Sequence, residues 1–314
     1  MTAIFGALQG VLTILVMVSG GYILSVQGWF SEETVAAISR LVIRVAIPAL
    51  MLTNVTAAFD REAVLGLGPG VLVPLGTILF AYGLAVLLGR LLGVPRGRRG
   101  LFQANFAFSN TIFVGVPVNI ALFGEEAVPF VTLYYLINTT LFWTLGVHFL
   151  RRDGGAEKAP ALSFAALKQI FSPVVVCFIV AVALVLLEIR LPSFLMSALK
   201  YTAAMTTPLS MIIIGITIHS VGFAGMRVDR ELLAVMAGRF LIAPAAAFFL
   251  LGRIPAPDLM RKVFLSTASM PVMTQIALVA RAYGADHRNA GVTATVTTAA
   301  SLVVIPIIML LFGA

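Results

Sequence analysis

A chain of 314 residues with 60% hydrophobic and 11% charged side chains does not make a water-soluble globule; such a surface takes about a quarter charged residues. Lipid must be its solvent, and the single cysteine excludes a disulfide framework or a multi-cysteine metal site. Lys and Arg number 21 against 13 Asp and Glu, a formal charge of +8. Nucleic-acid binding is one reading of that excess, but membrane proteins concentrate Lys and Arg in cytoplasmic loops.

A helix that crosses a bilayer needs about 20 mostly apolar residues. Ten segments qualify, at roughly 6–25, 34–56, 70–89, 100–122, 127–149, 171–188, 194–219, 231–250, 259–281 and 290–312. The N-terminus lacks the basic start and cleavage site of a signal peptide, so the first span is expected to be retained. The most polar link, Arg151 to Lys158, carries Gly154 and Gly155 and joins spans 5 and 6. It divides the chain into a first five-span half, 1–150, a short linker, 151–170, and a second half, 171–314.

The basic residues sort by side. Arg90, Arg96, Arg98, Arg99, Arg151, Arg152, Lys158, Lys168, Arg227, Arg230, Arg281 and Arg288 fall on one side, twelve in all. Arg61, Arg190, Lys200, Arg253, Arg261 and Lys262, six, fall on the other. The bias places the 3–4, 5–6, 7–8 and 9–10 links in the cytoplasm and both termini outside. The charge excess is then topology, and no nucleic-acid partner is expected.

The halves are similar at an offset near 160: Arg40 and Pro48 of span 2 correspond to Lys200 and Pro208 of span 7. Leu87-Leu88-Gly89-Arg90 ends span 3 and Leu250-Leu251-Gly252-Arg253 ends span 8. A five-span repeat inserts its second copy upside down, the plan of many secondary transporters, whose substrate sits near the midplane between repeats. Span 4 carries Asn105, Ser109, Asn110 and Thr111, then Gly115 and Pro117. Span 9 carries Ser266, Thr267 and Ser269, then Met270, Pro271, Thr274 and Gln275. Proline in mid-span frees a carbonyl that lipid cannot satisfy. Two such breaks at equivalent places, expected at Asn110–Pro117 and Met270–Gln275, point to a binding centre. Pro48, Pro74, Pro208, Pro244 and Pro306 are expected to be ordinary kinks.

At these residues the sequence resembles the auxin efflux carrier family, which includes plant auxin exporters and bacterial malonate carriers. The match rests on Asn110, Thr111, Gly115 and Pro117 in an Asn-Thr-x-x-x-Gly-x-Pro pattern, followed by Ala121-Leu122-Phe123-Gly124. Phe142-Trp143-Thr144-Leu145, Met270-Pro271, Ala280-Arg281-Ala282-Tyr283-Gly284 and Pro306 extend it over the chain. The resemblance implies an all-α integral membrane fold of ten helices in a 5+5 inverted repeat, similar to the bile-acid symporters. Spans 1, 2, 6 and 7 would form a scaffold and homodimer surface. Spans 3–5 and 8–10 would form a transport domain in which broken spans 4 and 9 cross. The plant exporters' long central loop is absent, as in the bacterial short-loop branch, so the expected place is a bacterial inner membrane.

The implied chemistry is carriage of a small organic anion, a mono- or dicarboxylate, by elevator-type alternating access. Half-helix N-termini present free amides to a carboxylate. Asn110, Thr111, Thr274 and Gln275 are candidates to add side-chain hydrogen bonds there, with Pro117 and Pro271 framing them and Asn138 of span 5 as a third polar patch. Gly115, Pro117, Met270 and Pro271 shape the crossover. Arg44 lies 11 residues inside span 2, about 16 Å deep at 1.5 Å per residue, and Arg239 is also deep. Each is a candidate anion contact; the competing reading has it satisfying carbonyls at a broken helix or reaching an interface. The Thr-rich start of span 10 and Cys177 read as packing.

No Asp or Glu lies near the middle of a span, which disfavours a carboxylate proton relay. No enzyme motif, cofactor or metal site is expected. Sodium coupling of the bile-acid type is the nearest alternative; a channel is a more distant one.

Overall fold

The structure, a computed structural model, describes residues 2–58, 61–62, 68–155, 171, 173–221 and 229–311. Linker residues 156–170 with Lys158 and Lys168, as well as Arg227, lie outside these, as does the side chain of Pro306. Regular structure among the described residues is helical, apart from one antiparallel β-bridge between Ser109 and Val272. In chain order the helices are α1 (Thr2–Val26), α2 (Glu32–Leu41), α3 (Ile47–Ala58), α4 (Leu72–Leu91), α5 (Arg99–Ala107), α6 (Val116–Phe123), α7 (Val128–Leu141) and α8 (Val147–Asp153). There follow α9 (Pro173–Leu186), α10 (Ser193–Ala204), α11 (Thr206–Val221), α12 (Arg230–Ala237), α13 (Ala243–Leu251), α14 (Asp258–Ala268), α15 (Gln275–Ala282) and α16 (His287–Leu311). Among the described residues, five helical stretches are long and apolar enough to cross a membrane: Glu32–Ala57, Gly68–Leu91, Glu125–Asp153, Ser193–Ser220 and Arg230–Leu251. The chain is thus a multi-pass helical membrane protein by length and composition.

Short polar residues start helices where the sequence supplies them. Ser31 accepts the Thr34 amide at the head of α2, and Asp229 accepts the Leu232 amide at 2.8 Å at the head of α12.

The mid-span prolines fall into two settings. Pro48, Pro117 and Pro244 each follow a single π turn, Val42–Ala46, Thr111–Gly115 and Gly238–Ile242. A proline has no amide and its ring meets the carbonyl four residues back. The wider turn ahead of it, in which Ile47, Val116 and Ala243 donate to carbonyls five residues back, relieves that clash. Helix therefore continues through Pro117, and the interruption lies earlier, at 108–110. Pro74 and Pro208 occupy the first turns of α4 and α11, where a missing amide costs nothing, and Pro208 follows the interruption at Met205 within the stretch Ser193–Ser220.

Packing follows from lipid as solvent. Phe194, Leu91 and Phe249 stand 75%, 72% and 70% exposed, whereas Asn105, Asn119, Asn138, Ser266 and Arg239 are buried. A soluble protein has the reverse distribution. With apolar side chains content on the outside, helices associate through close backbone approach and interior polar contacts. α1 lies along α11 with Gly21 against Ile212 and Gly215 against the backbone of Val18 and Tyr22, so a Cβ at either glycine would overlap main chain. His219 of α11 bonds Ser25 of α1 at 2.8 Å, and its ring meets Tyr22 edge-on. α3 packs on α9 and α10, α4 on α5 and α13, and α15 on α16.

Polar ties join the two halves at one end. Arg98 pairs with Glu231 at 3.0 Å and with Asp286 at 3.5 Å, and Arg151 donates to the Tyr283 hydroxyl at 2.6 Å with its guanidinium over that ring.

Gly215→Leu is expected to wedge α1 from α11 and lower the apparent melting temperature in detergent, since overpacking costs about 1–3 kcal/mol and main chain yields less readily than side chains. A melting curve that overlays the parent's would remove the glycine contact as the basis of this pairing.

Candidate functional site

The candidate site forms where two helices stop. α5 ends at Ala107, and Phe108, with φ −95° and ψ 130°, is extended. α14 ends at Ala268, and helix resumes only at Gln275. The two extended segments pair side by side. The Asn110 amide donates to the Pro271 carbonyl at 2.8 Å, and the Met273 amide to the Phe108 carbonyl at 3.2 Å.

A two-residue ladder has outer edges, and in a bilayer each must find a partner. Asn138 of α7 supplies both for Ser109: its Oδ1 accepts the Ser109 amide at 3.2 Å and its Nδ2 donates to the Ser109 carbonyl at 3.1 Å. Thr297 of α16 accepts the Val272 amide at 3.2 Å. These side chains act as the missing neighbouring strands.

The severed ends carry unpaired carbonyls, which Arg239 takes. Its guanidinium is 0% exposed and makes five hydrogen bonds, as many as it has N–H donors. Nε and Nη2 both donate to the Met270 carbonyl, at 3.0 and 2.9 Å. Nη2 also reaches Ala268 at 2.8 Å, and Nη1 reaches Ala107 at 2.9 Å and Phe106 at 3.5 Å. Gly238 makes the reach possible, because a Cβ there would press into the Phe106 ring at 2.6 Å.

Beyond the ladder the helices restart. Asn110 caps the first resumed turn, its Oδ1 accepting the Phe113 amide at 3.2 Å. Its Nδ2 has no hydrogen-bond partner, although the residue is 3% exposed. An unpaired buried amide costs about 1–3 kcal/mol; it is one of ten buried side-chain atoms without a hydrogen-bond partner among the described residues, and it lies on a residue that borders a cavity. Ser109, Asn110, Thr111, Tyr135, Met273, Thr274 and Gln275 enclose a cavity of about 10 Å³, enough for about one water molecule. A carboxylate does not fit that volume, although Thr274 and Gln275 at its rim are only half-buried.

The residues expected from sequence divide accordingly. Asn110, Thr111, Thr274 and Gln275 come together around the cavity. Pro271 is buried with its carbonyl in the ladder, and the Met270 side chain packs with Val114, Val118 and Ile305. Gly115 donates its amide to the Asn110 carbonyl, and Pro117 is buried one turn beyond. Asn138 does not face the cavity as a ligand would; both ends of its amide hold Ser109. Arg239 matches the carbonyl-satisfying reading, with no donor left for an anion. Arg44 is not at the site: it lies on the exposed side of the Val42–Ala46 turn, with no hydrogen bond or ion pair among the described residues. Both arginines sit deep in a span, and periodicity cannot tell which one the fold turns inward.

Sequence reasoning missed Tyr135 as a cavity wall and Thr297 as an edge partner. It also missed Asn119, whose Nδ2 bonds the Gly115 carbonyl at 2.7 Å and Thr267 at 3.3 Å across the halves. Their signal was an amide or hydroxyl inside an apolar helix, a feature common to many packed residues.

Asn138→Ala is expected to leave the Ser109 amide unpaired, while the Ser109 carbonyl keeps the Thr111 amide at 3.0 Å, lowering stability by about 1–3 kcal/mol. Thermal unfolding without any substrate reads this. An unchanged transition together with lost transport would return Asn138 to the ligand set.

Residues 7–309 match the model of a family described as membrane transport protein. An uncharacterized transporter of Methanothermobacter thermautotrophicus is 29% identical over 308 residues, 96% of this chain and 97% of its own length. An uncharacterized transporter of Methanocaldococcus jannaschii is 27% identical over 304 residues, 94% of this chain and 95% of its own. A protein of Rhizobium meliloti bearing the name "Putative malonate transporter" is 21% identical over 274 residues, 86% of this chain and 84% of its own.

Proposed function

The chain belongs to the auxin efflux carrier family of membrane transport proteins, and from that premise we propose that it is a secondary carrier of small organic anions. The observation that carries the reading is the buried, unpaired Nδ2 of Asn110 at the mouth of a resumed helix. A free N–H beside a helix start suits an anion, because the helix dipole and the donor act together. Malonate is a fitting probe, since one relative bears its name.

The wider reading has ten crossings in a 5+5 inverted repeat. Its support is the paired interruption, one from each half, and the way Asn138 of span 5 and Thr297 of span 10 serve the two segments alike. Spans 3–5 and 8–10 act as the moving domain against a scaffold of spans 1, 2, 6 and 7, in an elevator-type exchange that opens the cavity to either side. The protein works as a homodimer in a bacterial inner membrane, with both termini outside.

Uptake into liposomes of labelled malonate, malate, pyruvate and indole-acetate tests the function; flux of none of them across a folded preparation rejects it. Asn110→Ser sharpens the test. Serine keeps the helix cap but removes Nδ2, so stability is expected to hold while affinity falls about tenfold or more, the worth of a hydrogen bond to a charged group. Undiminished affinity in that variant moves the site elsewhere.

A further inference from the structure

Arg239 carries a charge as well as five donors. Among the described residues no carboxylate meets its guanidinium; its partners are the backbone carbonyls of Phe106, Ala107, Ala268 and Met270. Those carbonyls are the last of α5 and α14 and the turn after α14. A helix ends in about half a negative charge and begins with about half a positive one. Two C-terminal ends directed at Arg239 therefore amount to about one negative charge, which its one positive charge cancels.

On the far side of the ladder the balance is different. The helical stretch that starts at Thr111 and runs to Phe123, and α15 from Gln275, begin at the cavity wall beside the free amide of Asn110. Their two positive ends sum to about one charge and meet no acid among the cavity residues.

We propose that Arg239 is a positioning residue that sets the crossover at one net positive charge, so that the site is matched to a single carboxylate. Without it the carbonyl ends would offset the amide ends a few ångströms away, and the attraction for an anion would fade. With it, the loaded centre is neutral when one carboxylate is bound. A second ionised carboxylate enters the low-dielectric interior uncompensated, so a dicarboxylate is taken as its singly charged form. The inference rests on the carrier reading above and adds the charge of the passenger.

Transport of a malonate series at one neutral pH tests it: the dianion, the singly charged monomethyl ester and the uncharged dimethyl ester. The wild type is expected to show a KM about tenfold or more lower for the monoester than for the dianion, and no saturable flux of the diester. Arg239→Gln removes the charge, and its KM for the monoester is expected to rise about tenfold or more. Arg239→Lys keeps the charge with three donors in place of five, so KM returns toward wild type while turnover stays low. A residue that only held the fold would reduce yield and turnover in both variants and leave KM alone. Equal KM values in the two variants overturn the proposal, as does a wild type that favours the dianion. If neither variant folds, the wild-type series decides. Absence of flux for every carboxylate would instead reject the carrier reading itself.

Discussion

A backbone carbonyl in the middle of a bilayer has no water to bond. A helix that ends in a packed interior strands its last carbonyls in the same way, and α5 and α14 both end so. One buried guanidinium, Arg239, receives both ends, reaching Ala107 on one side and Ala268 and Met270 on the other. The other features of the centre presuppose that contact. The extended segments pair beside helix ends that Arg239 already satisfies.

Side chains of several helices supply the hydrogen bonds that hold the centre together. Asn138 stands in for a strand beside Ser109, Thr297 does the same beside Val272, and Asn119 spans Gly115 and Thr267. The Nδ2 of Asn110 is left free beside them, as are the Asn105 and Asn119 side-chain oxygens and the Ser266 hydroxyl. What sets Asn110 apart is its place, at a helix start that borders a cavity.

Much of the fold was legible in the sequence because lipid imposes simple rules. Apolar runs of sufficient length must be helices, and helices occupy the runs within the described residues. The region of the site was legible for the same reason: amides and hydroxyls are rare at that depth unless they have partners. Its inner geometry was not. Pro117 drew attention as the breaker of span 4, yet a π turn absorbs it and the chain unwinds earlier, at Phe108. A proline marks that a carbonyl is displaced; it does not say whether the helix widens by one residue or ends.

The sequence by itself determined that this chain lives in a membrane, that it is helical, and that its mid-segment amides and hydroxyls cluster at 103–111 and 266–275. Those conclusions depend on local quantities, hydropathy over a window and residue types within it. Only the tertiary structure decided what each polar residue serves. Arg44 and Arg239 are alike in depth and in local setting, but one is exposed and the other is sealed among carbonyls. The difference arises from contacts between residues more than a hundred positions apart, such as Arg239 with Ala107. A buried donor must have an acceptor, but which acceptor it finds is fixed by helix packing, and packing is a property of the assembled fold.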